Sequence, residues 1–301
     1  MRKIGIFVLV AILVLSLGLV GCSSEKETGE AEEKVVRITH KNYTEQRITG
    51  QLLAQYIEAT TDYKTQVTEL GGTMLCFEAL KNDQVDLYAE FTGSAYGAIL
   101  EQTEILGVQE TYDYVKQATE EKFGITWLEP LGWNNTYVLS VRQETADELG
   151  LKTISDLIPH APEMVIGSDN EFIARTDGIM GLKEAYGLTF KEEKPMDQGL
   201  TYAALRDGQL DVNSSFSTDG RIAKFNLFNL EDDKNFFPPY YVTPILKMEF
   251  AENNPELVAA LLELGGQWTE AELQAYNLRA DEGEDIKEVA AAMLKDKGLI
   301  E

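Results

Sequence analysis

The sequence predicts an α/β protein of two similar lobes with a ligand cleft between them. Short β-branched runs alternate with amphipathic helical runs, which predicts largely parallel sheets covered by helices. The alternation returns in the second half of the chain, where residues 204–212 (ALRDGQLDV) echo residues 79–87 (ALKNDQVDL). Two similar α/β units in one chain favour a ligand site in the crevice between them.

The first hundred residues predict the order β-α-β-α-β. Residues 35–40 are mostly β-branched and predict a strand. Thr44 is the expected N-cap of the following helix, because an apolar face begins at Ile48 and repeats with helical spacing. A strand at 64–70, a helix at 74–82 after the Gly71-Gly72 break and a strand at 85–90 complete this order.

The second half predicts a comparable set of elements and a helical end. Strands are expected at 136–142, 164–169 and 210–216, and helices at 177–186 and 196–207. From about Pro255 the pattern predicts three acidic amphipathic helices. Trp268, Leu273 and Tyr276 are expected to pack one of them onto a lobe.

The charge of the chain excludes several classes of partner. The 301 residues include 51 acidic and 26 basic side chains, for a net charge of −25. Such a surface repels phosphate backbones and anionic lipid headgroups, so nucleic acid is not an expected partner. A membrane attachment would therefore have to be covalent or apolar.

The N-terminus predicts such an attachment. Arg2 and Lys3 precede 16 mostly apolar residues, 4–19, which suit the core of a signal peptide better than a spanning helix of about 20 residues. The following Leu-Val-Gly-Cys resembles a bacterial lipobox, so residues 1–21 are a predicted lipoprotein signal peptide and Cys22 the predicted lipidation site. Residues 22–34 then form the lipidated Cys and a flexible tether. The alternative is an uncleaved anchor in which Cys22 is incidental.

The sequence offers little for catalysis. His40 and His160 are the only histidines, and Cys76 lies between Leu75 and Phe77 in an apolar segment typical of a buried, inert thiol. No His/Cys spacing suits a metal, and no phosphate-binding glycine loop or other cofactor motif is present. We therefore expect a binding protein without metal or cofactor rather than an enzyme.

Five segments resemble the osmoprotectant ABC-importer substrate-binding proteins, which bind glycine betaine, carnitine, choline and related quaternary ammonium solutes. These segments are residues 40–58, 69–100, 127–142, 170–188 and 214–246. The resemblance implies a type II periplasmic-binding-protein fold, with two α/β lobes and two chain crossovers. Lobe one would comprise residues 35–135 plus 240–301, and lobe two residues 136–239.

The resemblance also implies an aromatic cage. A quaternary ammonium group has no N–H donor, so a protein holds it against aromatic faces, each contributing about 0.5–2 kcal/mol. The family's cage positions correspond to Phe91 in AEFTGS, Tyr137 in NNTYV, Phe216 in SSFSTDG and Tyr240 in PPYY. Phe91 and Phe216 stand where the family usually or often has tyrosine, so cation binding could be weaker or the preferred ligand different.

A betaine carboxylate needs donors as well. By resemblance these are Lys41, Ser94 and Arg175, and the arginine offers a fork that matches a carboxylate. Asn135 matches a position near the cage where a polar or acidic group often lies, and Met74 matches a position that tunes the range of ligands.

These features predict a lipid-anchored receptor on the extracytoplasmic face of the cell membrane. It would deliver a compatible solute to an ABC transporter permease driven by a cytoplasmic ATPase. Three alternatives remain open at this stage: a same-fold receptor for another cationic or zwitterionic solute, an enzyme that uses Cys76, and a sensor that reports ligand occupancy to a signalling partner.

Overall fold

A computed structural model of the protein describes residues 34–104 and 106–301. The predicted signal peptide, Cys22 and the tether up to residue 33 lie outside these residues. None of the helices in the described part combines the length and apolar character needed to span a bilayer.

The first sheet contains four strands from residues 35–127 and a fifth strand from much later in the chain, residues 242–247. Its spatial order is β2-β1-β3-β10-β4. The strands are β1 (Val35–Lys41), β2 (Lys64–Gly71), β3 (Leu87–Phe91), β4 (Ile125–Trp127) and β10 (Val242–Lys247). The strand β1 runs parallel to β2 and β3, whereas β10 runs antiparallel to β3 and β4. The chain therefore returns to this sheet after it has built the second one.

The second sheet is formed by the middle of the chain. Its spatial order is β7-β6-β8-β5-β9. The strands are β5 (Tyr137–Arg142), β6 (Val165–Ser168), β7 (Glu192–Pro195), β8 (Val212–Phe216) and β9 (Leu227–Leu230). The strand β6 runs parallel to β7 and β8, and β5 runs antiparallel to β8 and β9.

Helices connect the strands in each lobe. Those between strands of the first sheet are α1 (Thr44–Thr60), α2 (Thr73–Lys81), the short α3 (Thr92–Ser94), which continues into a π-helical turn (Ala95–Ile99), and α4 (Val108–Phe123). Those of the second are α5 (Gln143–Leu149), α6 (Ile154–Leu157), α7 (Asn170–Ala174), α8 (Ile179–Tyr186), α9 (Gln198–Arg206) and α10 (Arg221–Lys224), with one 3₁₀ turn (Ala161–Glu163). Both lobes are thus α/β units as the sequence predicted, but each sheet is mixed rather than largely parallel, because β10 and β5 run antiparallel to both of their neighbours.

Four helices close the chain after β10. They are α11 (Met248–Asn253), α12 (Pro255–Leu262), α13 (Glu270–Asp281) and α14 (Ile286–Asp296). The three helices expected after Pro255 are confirmed. Trp268 and Leu273 are buried, and the Trp268 ring meets the edge of Trp133 at a centroid distance of 6.1 Å. Tyr276 is buried too, and helix α13 packs against α1, so the expected packing onto a lobe is confirmed, and the lobe is the first.

Two crossovers, residues 128–136 and 231–241, join the lobes. They lie side by side, because the Asn135 N–H donates to the Tyr240 carbonyl at 3.0 Å and the Tyr240 N–H donates to Asn134 Oδ1 at 2.7 Å. The two connections between the sheets are therefore hydrogen-bonded to each other.

The predicted order β-α-β-α-β of the first hundred residues is confirmed, but the expected N-cap is wrong. Helix α1 begins at Thr44, its N-cap is Tyr43, and no side chain caps its first turn. The Thr44 hydroxyl instead donates to Asp281 Oδ1 at 2.6 Å. A contact 237 positions away in sequence has replaced the local hydrogen bond that the pattern suggested.

Candidate functional site

A cavity of about 420 Å³ lies between the two lobes. Eight of the nine ligand-binding residues predicted from the sequence line it: Lys41, Phe91, Ser94, Asn135, Tyr137, Arg175, Phe216 and Tyr240. Met74 is not among the lining residues, and its side chain is 46% exposed at the start of α2. Its role in ligand range stays a prediction.

The four predicted cage residues reach the cavity from strand ends and from the second crossover. Phe91 ends β3, Phe216 ends β8, and Tyr137 begins β5 directly opposite Phe216. The Tyr137 ring centroid lies 5.3 Å from that of Phe216 and 5.5 Å from that of Tyr240, which it meets edge-on. Burial raises the pKa of Tyr137 and of Tyr240 well above the usual value, so both phenols stay neutral.

A glycine allows Tyr240 to approach the loop that follows Phe91. A Cβ atom at Gly93 would lie 2.6 Å from the Tyr240 ring. Any larger residue would displace that ring, because packed interiors leave no free volume for an added methyl group. Gly93 thereby permits the close contact between these two walls of the cavity.

Tyr43 is an aromatic lining residue that the sequence reasoning missed. Its ring centroid lies 5.2 Å from that of Phe216. It follows β1 by two positions and precedes α1, so it stands at a strand end as Phe91 and Phe216 do. An aromatic residue directly after a predicted strand, within the family-like segment 40–58, is the signal that could have identified Tyr43.

Lys41 already has a carboxylate partner. Its Nζ lies 2.6 Å from Glu90 Oε1, donates to Thr73 Oγ1 at 2.9 Å and sits 5.0 Å from the centre of the Phe91 ring. Both side chains of the ion pair are buried. An ion pair taken out of water persists only when its partners are well placed, so Lys41 is held in this position at one wall of the cage.

Arg175 is paired as well. Its Nε and Nη2 both bond the Asp177 carboxylate, with Nε at 2.7 Å from Oδ1. The Tyr240 hydroxyl donates to the same carboxylate at 2.7 Å. The Nη1 group of Arg175 donates to Ser94 Oγ at 3.3 Å and lies 3.8 Å from Glu171 Oε2. The fork that we expected to meet a ligand carboxylate therefore binds Asp177, and Nη1 with Ser94 is what remains for a ligand.

Glu45 is a buried carboxylate that the sequence reasoning also missed. Its Oε1 accepts from Trp133 Nε1 and Asn135 Nδ2, both at 2.9 Å, and its Oε2 accepts from Thr218 Oγ1 at 2.5 Å and Asn277 Nδ2 at 3.0 Å. Burial raises the pKa of Glu45, while these four donors oppose the shift. Its partners are distant in sequence, so no local pattern could have revealed it.

The charges around the cavity favour a positive ligand. Six lining residues are acidic and four are basic. The acidic set is Glu45, Asp169, Glu171, Asp197, Asp219 and Asp281, and the basic set is Lys41, Arg47, Arg175 and Arg221. An excess of carboxylates in a partly desolvated cleft attracts cations.

Polar contacts join the lobes across the cleft. Glu171, from α7 in the second lobe, accepts from the Thr73 N–H at 2.6 Å and from the Thr73 hydroxyl at 3.2 Å. It therefore caps the N-terminus of α2 in the first lobe, where a carboxylate is favoured by the helix dipole. Arg221 Nε, from α10 in the second lobe, lies 3.2 Å from Asp281 Oδ2 on α13. The protein itself thus supplies contacts that hold the cleft closed.

Catalytic groups are scarce in the described residues. Cys76 is buried, and burial raises the pKa of its thiol to about 12. Residues 34–104 and 106–301 contain no group of three or more His, Cys, Asp or Glu side chains placed to hold a metal ion. The cavity is lined by aromatic, hydrogen-bonding and charged side chains, which suit reversible binding.

Comparisons with known proteins agree with this geometry. Residues 34–296 match the family described as the substrate binding domain of ABC-type glycine betaine transport system. The chain is 37% identical over 275 residues to the carnitine transport binding protein OpuCC of Listeria monocytogenes, covering 90% of this chain and 89% of the relative. It is 35% identical to a glycine-betaine-binding protein of Pseudomonas aeruginosa, with 96% of each chain covered.

A solved structure gives the same result for the fold. A crystal structure of a glycine betaine/carnitine/choline ABC transporter protein superposes with a TM-score of 0.73 at 32% sequence identity. The match covers 88% of this chain and 100% of that chain. The two-lobed fold expected from the sequence is thereby confirmed.

The buried thiol of Cys76 should resist alkylation. In a Cys22→Ser variant, which leaves Cys76 as the one thiol, iodoacetamide at about pH 8 should not label the folded chain, because the thiolate is the reactive form. Mass spectrometry should show complete labelling once the chain is unfolded in urea. Rapid labelling of the folded chain would contradict the burial and raised pKa described here.

The Glu171 contact should stabilise the closed cleft. Glu171→Ala removes a carboxylate cap from α2, which is typically worth about 1 kcal/mol, so the ratio of open to closed molecules should rise roughly fivefold. Small-angle scattering should report a larger radius of gyration. Glu148→Ala, on the exposed face of α5, is the matched control and should leave the scattering curve unchanged. Identical curves for both variants would show that Glu171 does not hold the lobes together.

Proposed function

Because the chain belongs to the family of substrate-binding domains of ABC-type glycine betaine transport systems, we propose that it captures quaternary ammonium compatible solutes outside the cytoplasm. It delivers them to a membrane permease driven by a cytoplasmic ATPase. The observation that carries the proposal is the convergence of Phe91, Tyr137, Phe216 and Tyr240 on one cavity from four separate segments.

The cage supplies attraction for a cation that has no hydrogen-bond donor. Each aromatic face presents its negative quadrupole to the methylated ammonium group, and removal of water from the cavity strengthens the interaction. Tyr43 adds a ring beside Phe216. This extra ring compensates for the lower electron density of phenylalanine at two cage positions. The acidic side chains that line the cavity add long-range attraction for the cation.

The carboxylate of a betaine would bind beside the cage, where the Arg175 guanidinium lies 5.9 Å from the centre of the Tyr137 ring. The hydroxyl of Ser94 and the Nη1 group of Arg175 are the donors available there, 3.3 Å apart. Asp177 and Tyr240 fix the arginine side chain, so that its remaining N–H groups point in one direction. Lys41, beside Phe91, is paired with Glu90 as Arg175 is paired with Asp177, so neither side chain presents an uncompensated positive charge to an anionic ligand.

We assign no covalent chemistry to the chain. The ligand is bound and released unchanged, which agrees with the inert environment of Cys76. Ligand binding would draw together lobe one, residues 35–135 plus 240–301, and lobe two, residues 136–239. A ligand held by Ser94 of one lobe and Arg175 of the other shifts the population toward the closed form, which the permease would recognise.

The N-terminal segment completes the proposal. Residues 1–21 act as a lipoprotein signal peptide, Cys22 carries the lipid, and the tether that follows keeps the receptor at the extracytoplasmic face of the membrane. Lipidation suits so acidic a chain, since electrostatic attraction cannot hold it at an anionic bilayer.

A neutral analogue of the ligand tests the cage directly. Glycine betaine and 3,3-dimethylbutanoate have the same shape and the same carboxylate, but the second carries carbon in place of the charged nitrogen. Cation–π attraction requires the charge, so calorimetry should show glycine betaine binding at least about tenfold more tightly. Phe216→Leu, which keeps bulk and loses the π-face, should weaken glycine betaine about tenfold and leave the neutral analogue nearly unaffected.

The control for this experiment is Phe228→Leu, the same change on strand β9 outside the lining of the cavity. Its affinity for both compounds should match that of the unmodified chain. Equal affinity of the unmodified chain for the charged and the neutral compound would contradict the cage, and so would equal losses for both compounds in Phe216→Leu.

Membrane attachment should depend on Cys22 alone. Cys22→Ala removes the only atom that can carry the lipid, so the chain should leave the membrane fraction or accumulate with its signal peptide uncleaved. Cys76→Ser is the matched control and should remain in the membrane fraction. Unchanged fractionation and unchanged mass of Cys22→Ala would refute the lipid anchor.

A further inference from the structure

The carboxylate of Glu171 reaches across the cleft at the edge of the cavity. Glu171 lies on α7 in the second lobe, and its Oε1 and Oε2 accept from the N–H and the hydroxyl of Thr73 in the first lobe, at 2.6 Å and 3.2 Å. Its Oε2 also lies 3.8 Å from Arg175 Nη1. The side chain lines the cavity and is 38% exposed, so a bound ligand can reach it.

A glycine makes room for this carboxylate. Gly72 is the N-cap of α2, and a Cβ atom there would overlap Glu171 Oε1 and lie 2.8 Å from Glu171 Cδ. The φ of Gly72 is −86°, which any residue adopts, so the backbone conformation does not require glycine. The three atoms nearest to such a Cβ all belong to Glu171, so the missing side chain permits the contact between the lobes.

Arg175 offers one nitrogen to a ligand, and Glu171 lies beside it. Nε and Nη2 of Arg175 bind Asp177, whereas Nη1 donates to Ser94 Oγ at 3.3 Å. Hydrogen bonds from a guanidinium to a carboxylate are usually about 2.7–2.9 Å long, so neither Ser94 nor Glu171 holds Nη1 at full strength. A ligand carboxylate would bind Nη1 more closely than either of them does.

Such a ligand carboxylate would stand close to Glu171. Two anions that share the Nη1 group lie at most about 7 Å apart, given the 3.8 Å between Nη1 and Glu171 Oε2 and an ordinary hydrogen bond to the ligand. Like charges at this distance repel, and a partly desolvated cleft screens them less than bulk water does. Asp177 is fixed by two nitrogens of the arginine and by the Tyr240 hydroxyl. Glu171 is therefore the carboxylate that yields when an anion arrives.

We propose that Glu171 is a specificity-determining residue that competes with the carboxylate of the ligand. In the ligand-free protein it holds the lobes together through Thr73 and occupies the surroundings of Arg175 Nη1. An anionic ligand arm takes Nη1 and Ser94 and displaces Glu171, whereas an uncharged arm leaves Glu171 in place. The inference rests on the proposed function, since it concerns the arm of a ligand whose cation lies in the cage.

Two ligands of nearly the same shape test the competition. Glycine betaine and its carboxamide analogue share the trimethylammonium group and differ in the charge of the arm. Glu171→Gln removes the competing charge but keeps an oxygen that can accept from Thr73. Calorimetry of the full chain should therefore show the ratio of affinities, glycine betaine over the carboxamide, rising about tenfold in Glu171→Gln. A change in lobe closure alters both affinities alike and cancels in this ratio.

Glu184→Gln is the matched control, because Glu184 is exposed on α8 of the same lobe and does not line the cavity. It should keep the ratio of the unmodified chain. An unchanged or lower ratio in Glu171→Gln would overturn the competition and leave the cage intact. Failure of the unmodified chain to bind either compound would overturn the proposed function, and this inference with it.

A second variant tests the ligand-free contact without altering any charge. In Gly72→Ala the new methyl group takes the position of Glu171 Oε1, so the carboxylate can no longer accept from the Thr73 N–H. Small-angle scattering without ligand should report a larger radius of gyration than that of the unmodified chain. Gly107→Ala is the same change at the N-cap of α4, where the nearest side-chain atom lies 3.4 Å from the added Cβ, and it should leave the curve unchanged. Identical curves for both variants would overturn the role of Glu171 in holding the ligand-free lobes together.

Discussion

The buried carboxylate of Glu45 joins the segments on which the cavity depends. Its four donors come from the first crossover, from the turn after β8 and from helix α13, while Glu45 itself lies in the first turn of α1. A carboxylate removed from water must keep its hydrogen bonds, because each one lost leaves an uncompensated charge in a medium of low dielectric constant. That requirement fixes the spacing of segments that also carry Tyr43, Tyr137 and Phe216, so the cage geometry follows from the same constraint.

The carboxylates around the cavity attract cations, and each basic side chain that lines it is held in an ion pair with an acidic residue. Lys41 and Arg175 were expected to face a ligand carboxylate freely, yet each is held by an acidic residue, Glu90 and Asp177. Such pairing removes the repulsion that two free guanidinium or ammonium groups would exert on an incoming ammonium ion. It also leaves a small, directed set of donors at Ser94 and Arg175 Nη1, which suits a zwitterion better than a simple anion.

Closure of the cleft depends on several contacts that the protein makes with itself. Glu171 caps α2 across the cleft, and Arg221 pairs with Asp281 on the C-terminal helices. The same Asp281 accepts the Thr44 hydroxyl, which is why that residue does not cap α1. A ligand that contacts both Ser94 and Arg175 would add to this set of contacts and so favour the closed arrangement.

The sequence by itself determined the α/β class, the two similar lobes, six of the ten described strands and the three helices after Pro255, and its resemblance to a known family indicated the four cage residues that reach the cavity. The strands and helices follow from local periodicity and residue types, which are properties of short segments, whereas the cage positions follow from motifs that resemble those of the family. Tertiary structure alone decided the partners of Lys41 and Arg175, the cluster around Glu45, the exposure of Met74 and the place of Tyr43 beside Phe216. These depend on which side chains meet when distant segments pack, and Glu45 meets Asn277 across 232 positions of sequence. Hydrogen bonds and ion pairs are short-ranged and directional, so only the folded arrangement of the two lobes could select among the many partners that an acidic chain offers.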